Sequence, residues 1–365
     1  MQLIYLAPLP WHSFTQRPHK FVEWFHQTFN GNVLWVDPYP TRLPQCKDFN
    51  RVSQSPDKLV REIPDWLDVM SIPALPLEPI CGGEGINSLL WKKSLHKAME
   101  FSAITKTVLV CGKPSRFALS LKKKSALFCV YDMMDDFPEF YSGVSKRALI
   151  RTEALLVEAV DQLVVSSQKL NKKWIDKKPK LIIVKNGLDA EFLKNHIKLH
   201  NASPPVLGYL GTVGEWFDWH LVNRIAEAFP SFDVRIIGPI YKQPPKVLAP
   251  NIKLFPACSH QQAIVEMNKF SVALIPFLNT PLTEGVDPIK FYEYHALGLP
   301  VVSTLFGEMH LHRAEPSVFL VEEGVPLKIV IEQALVYCPD DAEIENFIES
   351  NNWASRFSAL TTIFN

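Results

Sequence analysis

VALIPFLNTPLTEGVDPIKFYEYHALGLPVVST, residues 272–304, decides the fold. It opens on an apolar, β-branched run (272–277) and closes on another (300–304). Between them IKFYEYHAL (289–297) reads as a helix, and Gly298 and Pro300 stop it. Two apolar strands joined by a helix form a βαβ unit, which belongs to a parallel sheet covered by helices. Asp287 is placed to cap that helix, and Pro288 suits its first turn. Lys290 then falls in the first turn, where the helix dipole disfavours a cation unless an anion lies nearby. Glu293 follows three residues later on the same face. A lysine on a diphosphate with a carboxylate on ribose hydroxyls fits this spacing. So does an i,i+3 salt bridge on a solvated face.

Outward from this unit the same alternation continues. Toward the N-terminus lie the runs 206–211, 233–238 and 251–255, and toward the C-terminus the run 318–322. A separate series precedes them at 3–9, 32–38, 107–112, 126–132, 162–167 and 180–187. LKNHIKLHNASPP (193–205) is polar, lacks periodicity and reads as the linker between the two series. The predicted architecture is α/β, with two Rossmann-like domains at 1–195 and 203–345 whose parallel sheets face a central cleft. Open sheets of this kind bind ligands at the carboxyl ends of their strands. In the tail, Trp353, Phe357 and Leu360 form one apolar stripe, so 346–365 either caps the second domain or crosses back to the first.

Composition narrows the function. The chain has 365 residues, 47% hydrophobic and 21% charged, enough for two full cores. Its apolar runs are too short for a membrane span, and the start lacks the pattern of a signal peptide. Six scattered cysteines with no CxxC pair argue against a zinc site or a disulfide frame and for a reducing cytoplasm. Net charge is zero, yet residues 1–187 hold 26 Lys+Arg against 18 Asp+Glu and the remainder 12 against 20. A basic half beside an acidic half does not describe a nucleic-acid binder. It fits contact with an anionic membrane or a phosphorylated substrate, and equally a solvated surface without a partner. Within the basic half, LKKKS (121–125) and NKKWIDKKPK (171–180) are the densest lysine clusters.

Four further constellations carry candidate chemistry. GYLGTVGEWFDW (208–219) puts Gly208, Gly211 and Gly214, with Thr212, at a strand-to-helix turn where backbone can approach a phosphate. Its spacing is not G-x-G-x-x-G, which disfavours a dinucleotide-binding dehydrogenase. VYDMMDDFPEF (130–140) crowds Asp132, Asp135 and Asp136 at a strand's end, where one carboxylate can acquire the raised pKa of a general base. Capping and turn chemistry also explain such aspartates. PWHSFTQRPHK (10–20) gathers His12, Gln16, Arg17 and His19 beside Trp11 and Phe14, a set suited to a sugar or a lipid phosphate. KNGLDAEFL (185–193) reads as a structural turn.

GYLGTVGEWFDW, the 275–304 segment and KNGLDAEF together resemble glycosyltransferases of the GT-B fold, of the broad family-four group and its relatives such as the glucuronosyltransferase of xanthan synthesis. The beginning of the chain, VYDMMDDF with Glu153, and DQLVVSS resemble the same group. The resemblance implies a nucleotide-diphosphate sugar on the second domain and an acceptor on the first. It implies Glu293 on the ribose, as the second glutamate of an E-x7-E motif, and Lys290 on the diphosphate. Gly211 and Thr212 would lie beside the phosphates, and Asp135 (or Asp132) would be the base. The first glutamate of that motif falls at Gly285, with Glu284 adjacent, and many retaining members of the group use that glutamate on the donor sugar, so its absence speaks against a retaining course. The implied activity is metal-independent and cofactor-free, building cell-surface polysaccharide from a saccharide or lipid-linked acceptor at the inner membrane face. The rivals are an epimerase or phosphorylase on the same fold and a non-catalytic sugar-nucleotide binder.

Overall fold

A computed structural model describes residues 1–43, 62–80, 83–190 and 204–364. Most of the 193–205 linker and the end of 185–193 lie outside these residues. The chain divides into two compact units, one of 1–185 with 357–365 and one of 186–356.

The first unit holds β1 (Gln2–Leu6), β2 (Val33–Val36), β3 (Leu67–Met70), β4 (Thr107–Cys111), β5 (Phe128–Met133), β6 (Gln162–Val165) and β7 (Ile182–Ile183). They pair in parallel in the order β3-β2-β1-β4-β5-β6-β7. β1 and β4 are buried along their whole length, as strands covered on both faces must be. On one face, Trp91, Leu95, Phe117, Leu121, Leu156 and Val157 join the core of the sheet. Phe357 and Phe364 pack against Phe21, Trp24 and Phe25 of the helix Arg17–Phe29. β3 has no counterpart in the sequence reading. It is a short edge strand with Asp68 exposed in its middle, so it lacks a continuous apolar run.

The second unit holds β8 (Val206–Leu210), β9 (Asp233–Ile237), β10 (Ile252–Phe255), β11 (Val272–Ile275), β12 (Val301–Thr304) and β13 (Val318–Val321). All are parallel, in the order β10-β9-β8-β11-β12-β13. In each sheet the order reverses between the first strand and the fourth. Such switch points open a crevice at the strands' carboxyl ends. Among the described residues, no helix is long and apolar enough to cross a membrane.

Candidate functional site

In the second unit the switch point lies between β8 and β11, and the segments that leave these two strands carry the candidate donor residues. β8 runs into Gly211, Thr212 and Gly214, and β11 leads through 276–288 into the helix Ile289–Ala296. The segments meet: a Cβ built on Gly211 would lie 3.6 Å from Lys290 Cε and 2.8 Å from the Tyr209 hydroxyl. Glycine at 211 therefore keeps this floor open. The Tyr209 hydroxyl donates to the Thr212 carbonyl at 2.8 Å, and the Tyr294 hydroxyl on the helix accepts from the Leu210 N–H at 2.9 Å. Lys290 and Glu293 are ion-paired at 2.5 Å, with 26% and 18% of their side chains exposed. The i,i+3 pair is thus present, half-buried, beside the glycine loop.

Three details differ from the sequence reading. Asp287 does not cap the helix. Pro288 holds the cap position without a side-chain bond. The Asp287 carboxylate is buried and accepts from the Asn186 N–H at 2.6 Å and the Tyr292 hydroxyl at 2.9 Å. It is anchored to Asn186, whose side chain in turn donates to the Asp287 carbonyl at 2.7 Å. Gly208 lies inside β8, where a Cβ would meet the Phe270 ring at 2.2 Å, so its role is packing. The helix after the glycine loop starts only at Trp219, and Asp218 caps it by accepting from Leu221 N–H at 3.0 Å. Its N-terminus is occupied by the chain's own carboxylate. Glu284 is exposed, and Gly285 is buried in the preceding turn.

In the first unit, the aspartates after β5 separate into distinct roles. Asp132 is fully buried in an ion pair with Arg17 at 2.7 Å, and Arg17 Nε reaches both of its oxygens at 3.1 Å. Arg17 also donates to the Val184 and Lys185 carbonyls at 2.9 and 3.2 Å. Two candidates, one catalytic and one acceptor-binding, are therefore committed to each other. The pair is buried because the helix begins at Arg17 and turns its first residue inward. Asp136 pairs with Lys173 at 2.7 Å, and Lys173 also pairs with Glu153 at 2.7 Å. Asp135 differs. None of the hydrogen bonds among the described residues engages its carboxylate, and it keeps partial contact with solvent. Burial pushes its pKa up to about 7, against the lowering by Arg17, and Asp136 adds to the rise.

The 10–20 cluster also splits. His19 is buried and stacks on Trp35 at 4.9 Å. Its Nδ1 accepts from Gln16 N–H at 3.2 Å, which leaves Nε2–H to donate to the Trp11 carbonyl at 3.1 Å. Trp11 is buried too, its N–H held by Asp37 at 3.0 Å. His12, Gln16 and Phe14 remain exposed. A recess that no sequence motif above announces lies at the carboxyl ends of β1, β2 and β4, lined by Asp37, Tyr39, Thr41, Lys113 and Ser115 among others. The available signal was a polar residue directly after an apolar strand, as in VDP (36–38) and CGKPS (111–115). Among the described residues no cluster of His, Cys, Asp and Glu is arranged to hold a metal ion.

No family model matches the sequence. Among curated proteins it is similar to TuaH of Bacillus subtilis, named as a teichuronic acid biosynthesis glycosyltransferase. The two are 24% identical over 198 residues, covering 48% of this chain and 50% of the relative, so the match spans about half of that protein's length. Solved structures are similar along the full chain. A sucrose-phosphate synthase from Thermosynechococcus elongatus aligns with TM-score 0.69 at 13% identity, covering 100% of this chain and 98% of that one. Anabaena HepE in complex with UDP-glucose aligns at 0.60 and 14%, covering 98% and 95%. An α,α-trehalose 6-phosphate synthase from Burkholderia multivorans aligns at 0.62 and 10%, covering 100% and 98%. With two parallel sheets that each reverse between first and fourth strand, and likeness of this extent, the chain has the GT-B fold of these glycosyltransferases.

Proposed function

We propose that the protein is a glycosyltransferase that moves a sugar from a nucleotide-diphosphate donor to a saccharide hydroxyl in the building of a cell-surface polysaccharide. The observation that carries this reading is the meeting of Gly211 and Lys290 at the switch point of the second sheet. A tight backbone turn and a lysine in the first turn of a helix supply donors and positive charge for a diphosphate. Glu293, one turn on, accepts from ribose hydroxyls once Lys290 turns from it to phosphate. The TuaH name and the UDP-glucose bound in HepE agree in substrate class.

In this reading Asp135 removes the acceptor hydroxyl's proton as the oxygen attacks the anomeric carbon. The bond from that carbon to the diphosphate breaks, and the nucleotide leaves with the electron pair. Lys290 and the helix N-terminus meet the charge that develops on the leaving group, so the step asks for no metal ion. His12, Gln16 and the Thr41–Lys113 recess are the groups in the first unit that face an acceptor saccharide. The acceptor is lipid-linked and meets the enzyme at the cytoplasmic face of a membrane.

The test is incubation of the purified protein with a panel of nucleotide sugars and saccharide acceptors, with free nucleotide diphosphate measured. Acceptor-dependent release from at least one donor is expected. Donor conversion without an acceptor, or only with added phosphate, points to the epimerase or phosphorylase reading. Binding without any turnover removes the enzymatic reading.

A further inference from the structure

The lysine clusters that the sequence offers as a membrane contact are poorly placed for one. Lys122 is tied to Asp161 at 2.6 Å and to the Leu127 carbonyl, and Lys178 to the Val160 carbonyl at 2.7 Å. These partners mark the amino ends of β5 and β6, opposite to the end where Asp135 lies, and Lys173 is tied to Asp136 and Glu153 at 2.7 Å each. Trp174, the aromatic residue among them, is buried.

A different surface adjoins Asp135. The turn after it forms the short helix Phe137–Phe140, and the long helix Gly143–Ala159 follows. That helix buries Leu149, Thr152, Glu153, Leu156 and Val157. Its opposite face carries Val144, Arg147, Arg151 and Leu155, whose spacing puts them in one stripe, with Ile150 beside it. Phe140, Val144, Ile150 and Leu155 are 47%, 57%, 46% and 43% exposed. Arg147 and Arg151 are exposed and form no ion pair among the described residues. The nearby acids are committed: Glu139 to Lys146 at 2.6 Å, Glu153 to Lys173 at 2.7 Å. Glu158 lies at the far end of the helix.

We propose that this stripe, with Phe140, docks the protein on an anionic lipid surface. Arginines alternating with bare apolar side chains match the boundary between phosphate headgroups and acyl chains. Guanidinium groups reach lipid phosphates while the apolar side chains enter below them. An anionic occupant is the complement of two cations that have no ion-pair partner among the described residues. Phe140 lies five residues after Asp135 and the stripe begins nine after it, so docking would present a lipid-borne hydroxyl near the base. That link to the acceptor rests on the transferase reading, but lipid binding does not.

The experiment is co-sedimentation of the full chain with vesicles of phosphatidylcholine alone or mixed with phosphatidylglycerol. The wild type is expected to bind the mixed vesicles and to weaken with added salt. Arg147→Glu/Arg151→Glu should lower partitioning at least about tenfold, and Val144→Ser/Leu155→Ser should lower it at low salt. Lys123→Glu/Lys124→Glu, exposed lysines at the amino end of β5, should change it by about twofold at most. All variants should keep the wild-type melting temperature and nucleotide binding, which separates failure here from failure of the transferase reading. Equal binding to both vesicle types overturns the proposal, as do stripe variants that bind like wild type. A wild-type dimer that Arg147→Glu/Arg151→Glu dissociates assigns the stripe to a second copy and overturns it as well.

Discussion

Asp135 and Asp132 stand three residues apart at the end of one strand, yet their surroundings give them opposite characters. Asp132 has a buried guanidinium on both oxygens, and Asp135 has burial without a bonded partner. Asp135→Asn is therefore expected to abolish transfer, and wild-type activity should rise with pH through about 7 as the base ionises. The sign for stability is opposite. The folded pKa lies above the unfolded one, so stability present at low pH is lost as pH rises through about 7. Asp135→Asn should then raise the melting temperature by roughly 2–6 °C at pH 8, less at pH 5 and hardly at pH 3. Pairing between Arg17 and Asp132 spans 115 residues and leaves no local signal, which is why the sequence reading took both for site residues. Arg17→Met leaves a buried carboxylate uncompensated and should cost about 3–5 kcal/mol in urea unfolding. A loss confined to acceptor KM would instead return Arg17 to the acceptor site.

At the scale of elements, strands were the most legible feature because the central ones, β1, β4, β8 and β11, are continuous apolar runs buried on both faces. β3 and the helices between 83 and 102 were not read, since the first is an interrupted edge strand and the second follows a stretch rich in proline. The helix Ile289–Ala296 was legible as a helix and misread at its cap. A cap looks local in sequence, but the Asp287 carboxylate found a partner about a hundred residues away at Asn186. This helix also carries His295, buried against Phe347 with Nδ1 2.6 Å from the Ser317 hydroxyl. Burial lowers its pKa to about 4. Its folded pKa is below the unfolded value, so the stability it supports is present above about 6.5 and lost as pH falls toward 4. Thermal melts between pH 7 and 4 should show this loss, and His295→Gln should flatten it; an unchanged slope would remove His295 as the cause.

For the molecule as a whole, two successive sheets of one strand order were visible as two successive series of apolar runs. The charge asymmetry was visible too, but not its meaning. Lysine density along the chain pointed to segments whose lysines cap backbone carbonyls, whereas the two arginines left unpaired are sparse in sequence and gather only on a helix surface. The proposed transfer requires the second unit to hold a nucleotide diphosphate between the glycine loop and the helix of Lys290. The most direct measurement is calorimetric titration of UDP into the wild type, Lys290→Ala and Glu293→Ala. UDP should bind the wild type, Lys290→Ala should weaken binding about 10- to 100-fold, as loss of a charged hydrogen bond does, and Glu293→Ala should weaken it less. If UDP binds and both variants match the wild type, the Lys290–Glu293 pair is a surface salt bridge and the donor site lies elsewhere.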